Sequence, residues 1–360
     1  MGIYAGITYN LKRHAITDPP DAEAEFDDAE TIDAIKNALE ESGCTVGLYE
    51  ADTTLPARLA ERRPDFVFNI AEGLRGRGRE AQVPAILNFF NIPFSGSDET
   101  AMCITMDKAI SKGLLSLHGI ASPKSIIIKP GDIPPLDEKT DSAAPYLTSD
   151  PVSAGGLVYP VIVKPNAEGS GKGITGLSIA DDAGGLRRIL DETVRIYKQD
   201  LLVEEFIRGR EFTVGILGNG DQTRIFTPME IIFRDGGRRE HSIYSYDIKR
   251  NFRDYVDYKC PPDIGAALTD VFIQTARKIY NILGCSDFAR IDFRMDPEDR
   301  IYFIEINPLP GLAPGYSDYP MLAEYCGVGY NELIQEIMRS ALSRYGCADG
   351  IFNRNGRHNE

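Results

Sequence analysis

The sequence predicts an α/β protein that begins with a parallel, doubly wound unit over about the first 100 residues. Three apolar segments, MGIYAGITY, TVGLYEA and PDFVFNIAEG, have the composition of buried strands. Between the first two lies TIDAIKNALEESG, where Ile32, Ile35 and Leu39 share one helical face and Gly43 suits a C-terminal cap. Strands that alternate with helices in this way favour a parallel sheet.

The segment after the first strand argues against one common use of such a unit. GITYNLKRH contains no GxGxxG, the glycine pattern that lets a dinucleotide-binding domain approach a pyrophosphate. A nicotinamide-binding domain is therefore disfavoured.

Further helices and strands are predicted beyond residue 100. A helix is expected over residues 102–119, and residues 129–156 form a polar insertion rich in Pro, Asp, Ser and Gly, which predicts a mobile surface loop. Strands are predicted at YPVIVKP, LLVEEFI and REFTVGIL, and helices at DDAGGLRRILDETVRIYKQ, residues 263–283 and NELIQEIMRSALSRY. The segment GIFNRNGRHNE is expected to be disordered.

Composition and charge narrow the class of protein. The net charge of −15 over 360 residues argues against nucleic acid or an anionic membrane as the main partner. No signal peptide or long apolar segment is recognised, so the predicted location is cytoplasmic. The six cysteines show no CxxC spacing, which favours buried thiols over disulfides or zinc: Cys44, Cys103, Cys260, Cys285, Cys326 and Cys347.

Charged and amide side chains recur along a predicted hairpin, FARIDFRMDPEDRIYFIEIN. Arg290 and Asp292 share one face of its first strand, and Glu305 and Asn307 share one face of its second strand. A turn at DPED, residues 296–299, places Asp292 opposite Glu305, whereas a loop of odd length would shift the pairing by one residue.

Two interpretations of this hairpin remain open. Carboxylates about 4 Å apart repel by roughly 4 kcal/mol at an effective dielectric of about 20, so a cation, a shared proton or Arg290 must offset this repulsion. Asp292, Glu305 and Asn307 offer the hard oxygen ligands that Mg²⁺ prefers, and they suit two ions, with Mn²⁺ as a substitute. The alternative is a salt bridge in which Arg290 neutralises the pair on a solvated strand.

A glycine-rich loop follows the strand that holds Lys164. In VIVKPNAEGSGKG, the glycines Gly169, Gly171 and Gly173 let backbone N–H groups converge on phosphate oxygens, and Lys164 adds a positive charge. Ser170 stands between the first two glycines and belongs to the same predicted nucleotide-binding segment. The alternative is a flexible hairpin tip. Lys108 and Lys112 lie four residues apart on one helical face, and taken alone they favour a solvated face over a ligand site.

A group of acidic residues surrounds the turn in VEEFIRGREFTV. Glu204, Glu205 and Glu211 could contact a nucleotide, because a strand edge can bind adenine through its backbone and a carboxylate can bind ribose hydroxyls. Acidic residues beside a solvated turn are the equal alternative.

Taken in order, these segments resemble the ATP-grasp ligases, and among them the D-alanine–D-alanine ligase family. The matching segments run from about residue 100 to residue 325: MDKAISK, PVIVKPNAEGSGKG, LLVEEFIRGREFTV, YDIK, ARIDF and FIEINPLPGL with SDYPM. The resemblance implies an N-terminal domain over residues 1–100, ATP-grasp subdomains over residues 101–215 and 216–345, and a tail over residues 346–360. It also implies MgATP between two antiparallel sheets and, as an expectation, a homodimer.

The resemblance also implies roles for individual residues. Phosphates would contact Lys108 and Lys164, and Lys249 would reach the γ-phosphate. Adenine would lie against Glu204 and the backbone near Ile207, beside Glu205, with Glu211 on the ribose.

Two Mg²⁺ ions would be held by Asp292, Glu305 and Asn307. Arg290 and the N–H of Gly311 would stabilise the tetrahedral centre, Ser317 would face the second amino acid's carboxylate, and Glu25 would receive the first one's ammonium group.

Three departures from the family pattern concern the amino-acid substrates. Glu72 stands near the place of the family's His-Gly, Arg250 follows Lys249 where Tyr is common, and GITYNLKRH replaces a glycine-rich segment. The resemblance therefore implies D-alanine–D-alanine ligation for cell-wall precursors, or a related ligase that uses another amino acid or a small metabolite carboxylate. A carboxylase-type or kinase-type ATP-grasp enzyme and a non-catalytic nucleotide-binding protein are further alternatives.

Overall fold

The computed structural model describes residues 2–13, 23–133, 151–169, 178–234 and 252–347. Several predictions fall outside these ranges: the roles of Ser170, Gly171, Gly173 and Lys249, most of the insertion, and the tail beyond residue 347. No helix in the described ranges has the length and apolar composition needed to cross a bilayer.

The N-terminal layer is a three-stranded parallel sheet, which confirms the predicted doubly wound unit. Its strands stand in the order β2-β1-β3: β1 (Tyr4–Tyr9), β2 (Thr45–Glu50) and β3 (Phe66–Asn69). Helices α1 (Ala29–Glu41) and α2 (Leu55–Glu61) connect them. Gly43 has a φ of +86°, as expected for a residue that ends a helix.

The single helix predicted over residues 102–119 is two helices. After α3 (Gln82–Phe89), α4 (Glu99–Met106) ends at Asp107, and α5 (Lys108–Ser116) begins directly after it. The Asp107 carboxylate accepts a hydrogen bond from the backbone N–H of Ile110 at 3.0 Å, so it caps the new helix. This break places Lys108 in the first turn of α5.

The second layer is a four-stranded antiparallel sheet in the order β4-β7-β5-β6. Its strands are β4 (Ser125–Ile128), β5 (Val161–Pro165), β6 (Ile179–Ala180) and β7 (Leu201–Glu205). The short helix α6 (Pro151–Ala154) lies at the end of the predicted insertion, and α7 (Ala183–Tyr197) confirms a predicted helix.

The third layer is a six-stranded antiparallel sheet in the order β11-β10-β8-β12-β13, with β9 paired to β8. Its strands are β8 (Arg210–Leu217), β9 (Arg224–Ile225), β10 (Met229–Phe233), β11 (Val256–Lys259), β12 (Phe288–Met295) and β13 (Ile301–Asn307). The helices of this region are α8 (Phe252–Tyr255), α9 (Gly265–Ile282), α10 (Asp318–Tyr325) and α11 (Tyr330–Arg344). The predicted subdomain boundary at residue 215 falls within β8.

Consecutive strands β7 and β8 belong to different sheets, so residues 206–209 form the crossover between the second and third layers. At the other side of the molecule, α11 packs on α1: the Gln335 side-chain amide donates to the backbone oxygen of Ala38 at 3.2 Å. The N-terminal and third layers therefore share one apolar core.

Candidate active site

Strands β12 and β13 bring the predicted metal ligands together. Asp292 pairs with Glu305, and Arg290 pairs with Asn307. The predicted pairing is therefore present, but the loop differs from the expected four residues. Met295 pairs with Ile301, which leaves a five-residue loop, and a bulge between Asp292 and Phe293 restores the register.

Arg290 is buried among carboxylates beside this pair. Its Nε and Nη2 donate to the two Asp292 oxygens at 3.1 and 2.9 Å, and its Nη1 lies 3.6 Å from Oδ2 of Asp318. Burial lowers the pKa of Arg290, but the carboxylates of Asp292 and Asp318 outweigh it and raise the pKa overall. Thr213 donates a hydrogen bond to Asp292 at 2.7 Å from the neighbouring strand β8.

Lys108 links the metal-ligand face to the start of the glycine-rich loop. Its Nζ lies 3.4 Å from Oε2 of Glu305 and donates to the backbone oxygen of Glu168. The side chain is 8% exposed, because the break at Asp107 places the first residue of α5 between Glu168, which follows β5, and Glu305 on β13. An ammonium group in this position suits a phosphate that also contacts a metal ion.

Lys112 and Lys164 both bind the carboxylate of Glu204. Lys112 donates to Oε2 at 2.6 Å, and Lys164 donates to Oε1. Burial raises the pKa of Glu204, but the two ammonium groups outweigh it and lower the pKa from 4.5 to about 2. Burial lowers the pKa of Lys112, against the opposing effect of Glu204. The interpretation of Lys108 and Lys112 as a solvated face is wrong, since both are buried.

The crossover from β7 to β8 carries the residues predicted to contact the base and the ribose. The Glu205 carboxylate accepts a hydrogen bond from the backbone N–H of Val158 at 3.0 Å, and Ile207 is half-buried in the crossover. Glu211 follows on β8, where its Oε2 accepts a hydrogen bond from Nη1 of Arg294 at 2.9 Å. Glu204 itself faces the lysines, so its carboxylate is directed toward the predicted phosphate site.

Gly311 and Ser317 lie together beyond the end of β13. A Cβ on Gly311 would stand 2.9 Å from the Ser317 hydroxyl oxygen, and that oxygen accepts a hydrogen bond from the backbone N–H of Ala313 at 3.1 Å. Ser317 immediately precedes α10, and Asp318 is the first residue of this helix. The predicted oxyanion glycine and the predicted carboxylate-binding serine therefore share one loop.

Glu25 lies in a group of acidic residues at the edge of the N-terminal layer. Carboxylate oxygens of Glu25, Glu72 and Glu80 lie within 4.8 Å of one another. Arg79 donates to Glu25 at 2.7 Å and lies 3.2 Å from Glu168. Burial lowers the pKa of Arg79, but Glu25 and Glu168 outweigh it and raise the pKa overall.

The same group touches the start of the glycine-rich loop. A Cβ on Gly169 would stand 2.4 Å from Oε1 of Glu25, so the Glu25 carboxylate lies directly against the loop backbone. Glu25 and Glu72, which are far apart in sequence, thus lie beside a loop that was predicted to bind phosphate.

A family model described as the D-ala D-ala ligase C-terminus matches residues 145–339, more than half of the chain. The chain belongs to the D-alanine–D-alanine ligase family. Two relatives match over most of their length. The D-alanine–D-alanine ligase of Gloeobacter violaceus is 30% identical over 320 residues, which cover 86% of this chain and 92% of that protein. An uncharacterized Sinorhizobium fredii protein, y4sG, is 31% identical over 321 residues, which cover 87% of this chain and 88% of that protein.

A solved structure of the family shares the fold. The Bacillus anthracis D-alanine–D-alanine ligase complexed with ATP superposes with a TM-score of 0.69 at 21% identity, covering 96% of this chain and 99% of that chain. The predicted ATP-grasp fold is confirmed, and so is the predicted class, a ligase of the D-alanine–D-alanine ligase family.

Several residues of the candidate site were not assigned a role from the sequence, among them Arg79, Glu80, Lys112, Arg294 and Asp318. Two had a local signal. Arg294 continues the two-residue alternation of Arg290 and Asp292, and Asp318 follows Ser317 directly. Arg79 and Glu80 had none: Glu25, to which Arg79 donates and near which Glu80 lies, is 54 residues from Arg79, and its position depends on the tertiary fold.

Proposed function

We propose that the chain is an ATP- and Mg²⁺-dependent D-alanine–D-alanine ligase. It transfers the γ-phosphoryl group of ATP to the carboxylate of one D-alanine, and the amine of a second D-alanine then attacks the acyl phosphate and displaces inorganic phosphate. The observation that carries the proposal is the placement of Arg290, Asp292, Glu305 and Asn307 on one face of β12 and β13, next to buried Lys108. This arrangement supplies metal ligands, a phosphate-binding cation and an oxyanion-stabilising cation at one place.

The donor set of the hairpin fits Mg²⁺. Two carboxylates and one amide offer hard oxygen atoms, and the positive charges of Arg290 and Lys108 balance the carboxylates before an ion binds. Asp292 and Glu305 would hold the ions, with Asn307 completing one shell. When bound, Mg²⁺ offsets the negative charge of the transferring phosphate.

The lysines bind and orient the phosphates. Lys164 and Lys112 share one buried carboxylate, Glu204 on β7, which fixes both ammonium groups beside it. Together with Lys108, these lysines carry three positive charges, and Glu204 and Glu305 carry two negative charges. The net positive charge suits an anionic ligand. Lys249, which lies outside the described residues, would add a further cation at the γ-phosphate.

Arg290 and Gly311 stabilise the reaction centre. Negative charge develops on the former carboxyl oxygen when the amine attacks, and a buried guanidinium already fixed by Asp292 and Asp318 needs little reorganisation to accept it. The Gly311 N–H would supply a second donor, and the ammonium group of the first D-alanine would lie against Glu25 and Glu72. Ser317 would hold the carboxylate of the second D-alanine.

Three finer parts of the proposal follow from the family resemblance. The product serves as a precursor of the cell wall, the reaction takes place in the cytoplasm, and the enzyme is a homodimer. Nucleic acid is not a partner, in keeping with the net charge of −15.

A second candidate, a related ligase with a different acceptor amine, is favoured by Asp318. Its carboxylate is buried beside Arg290 and next in sequence to Ser317, where the family resemblance places the second substrate's carboxylate. A negative side chain there favours an acceptor that carries a neutral hydrogen-bond donor or a cation where D-alanine carries its carboxylate.

One experiment tests both candidates. ADP release is measured with MgATP and a panel of D- and L-amino acids and small carboxylic acids, and products are identified by mass. D-alanyl-D-alanine formed from D-alanine alone supports the first candidate. A product only from another acid–amine pair supports the second, and no ADP release with any pair contradicts both.

A further inference from the structure

Two of the six cysteines, Cys260 and Cys326, meet beside the third layer, although they are far apart in sequence. Cys260 directly follows β11, and Cys326 ends α10, where its backbone N–H donates to the backbone oxygens of Leu322 and Ala323. The Cys260 thiol donates to the Cys326 sulfur, and both side chains pack against the apolar core that the N-terminal and third layers share. Both thiols are free and half-buried, so they are in contact and still open to a small reagent.

The segment that joins β9 to β10 holds both sulfur atoms. The Cys260 thiol donates to the backbone oxygen of Thr227 at 3.7 Å, and the Cys326 sulfur accepts from the backbone N–H and the hydroxyl of the same threonine. Nη2 of Arg224 donates to the backbone oxygen of Cys326 at 2.9 Å. One short stretch of chain therefore fixes the position of both thiols.

A second contact joins the same two elements at another point. The Tyr258 hydroxyl, on β11, donates to Oδ1 of Asp318 at 3.0 Å, and Asp318 is the first residue of α10. The sulfur atoms therefore meet between a strand and a helix that are already held together.

The surroundings make Cys326 the more reactive of the two thiols. The hydrogen bond from Cys260 lowers the pKa of Cys326, burial opposes this effect, and Thr227 and Arg224 reinforce it. The same hydrogen bond raises the pKa of Cys260. A thiolate is the form that attacks an oxidant, and an accessible thiol of low pKa beside a second thiol is typical of redox-sensing cysteines.

We propose that Cys260 and Cys326 form a redox-active pair that a hydroperoxide converts reversibly into a disulfide between β11 and α10. The Cys326 thiolate attacks one oxygen of the hydroperoxide, so an S–O bond forms, the O–O bond breaks, and the departing oxygen takes up a proton. The Cys260 sulfur then attacks the sulfenic acid of Cys326. The S–S bond forms, the S–O bond breaks, and the hydroxide leaves with the Cys260 proton as water.

The two thiols lose two hydrogen atoms in this sequence, and the hydroperoxide is reduced to water and an alcohol, or to water alone if it is hydrogen peroxide. A dithiol reductant reverses the disulfide. The inference does not depend on the proposed function, because it requires only the two thiols and the oxidant. Disulfides of cytoplasmic proteins are usually transient and redox-sensing, which is the behaviour proposed for this pair.

The test treats the reduced full-length protein with hydrogen peroxide, blocks the remaining thiols by alkylation and identifies linked peptides by mass spectrometry. We expect a link between Cys260 and Cys326 that dithiothreitol removes. The exposed Cys103 is the internal reference, and Cys326 should lose its free thiol about tenfold faster, because a thiolate reacts and a thiol does not. Absence of the link, or oxidation of Cys103 before Cys326, overturns the proposal.

Variants separate the two steps of the reaction. Cys260→Ser keeps a hydroxyl that can donate to Cys326 but cannot close the disulfide, so a sulfenic acid should accumulate at Cys326 and react with dimedone. Cys103→Ser is the matched control and should form the link as the wild type does. A dimedone adduct on Cys260 in Cys326→Ser, with none on Cys326 in Cys260→Ser, would overturn the assignment of the attacking thiol.

Thermal unfolding of each variant shows whether it is folded. The wild-type peptide map requires no variant, so it decides the proposal even if a serine variant does not fold. Wild-type protein that forms the link but releases no ADP with any substrate pair would contradict the proposed function and leave this inference standing.

Discussion

Arg290 is held by two carboxylates from different elements: Asp292 on its own strand and Asp318 on α10, whose Oδ2 lies 3.6 Å from Nη1 of Arg290. Asp318 also accepts a hydrogen bond from the Tyr258 hydroxyl at 3.0 Å. When Asp292 acts as a metal ligand, Asp318 still fixes the guanidinium. The same carboxylate adds negative charge where an acceptor's carboxylate would approach.

Replacing Asp318 by Asn is expected to lower the KM for the acceptor D-alanine by roughly fivefold, because it removes the repulsion between the Asp318 carboxylate and the acceptor's carboxylate. The KM for ATP should not change. The measurement is steady-state kinetics with each substrate varied, and Tyr258→Phe is the control, because it removes a hydrogen bond to Asp318 and keeps the charge. A raised acceptor KM in the Asn variant would contradict repulsion.

Replacing Asn307 by Ala is expected to abolish ADP release and leave the fold intact. Asn307 is partly exposed at the end of β13, so its loss removes a metal ligand without opening the core. Turnover and thermal unfolding are measured together. Asn331→Ala, which removes a surface amide bound to Glu41, serves as the control. Turnover retained in the Asn307 variant would disprove the metal assignment.

Glu204→Gln should change the dependence of stability on pH. The pKa of Glu204 is lowered from 4.5 to about 2, so its ionisation stabilises the fold above pH 4.5 and this contribution is lost as the pH falls toward 2. At pH 7 the variant should lose about 3 kcal/mol of unfolding free energy, because two lysines remain buried without their carboxylate.

Urea unfolding of both proteins between pH 7 and pH 2.5 measures the Glu204 effect. The difference in unfolding free energy should shrink below pH 4.5. A difference that stays constant over this range would mean that the lysines do not depend on the charge of Glu204. Lys112→Met in the Glu204→Gln background should restore part of the loss, since it removes one of the uncompensated charges.

Gly311→Ala is expected to lower kcat strongly while it changes the free energy of unfolding little. The added Cβ would stand 2.9 Å from the Ser317 hydroxyl oxygen, so this hydroxyl must move away from the backbone N–H assigned to the oxyanion. Gly329→Ala is the matched control, because an added Cβ there meets no atom within 4 Å. Equal kcat values in the two variants would count against the oxyanion role of Gly311.

The sequence predicted the Asp292–Glu305 pair because strand alternation and hairpin pairing are local rules. It did not predict how the pairing arises, since the five-residue loop and the bulge compensate each other and neither has a clear signal. The burial of Lys112 was also missed. That burial depends on Glu204, which is 92 residues away, and periodicity on a helix cannot report such a partner.

The packing of α11 on α1 has a consequence for synthesis of the chain. Gln335 and Ala38, which meet in this contact, are 297 residues apart in sequence. The part of α1 that faces α11 is therefore covered only after residue 335 has been synthesised. Contacts of this sequence separation slow folding, so this face of α1 stays exposed until α11 has emerged and packed on it.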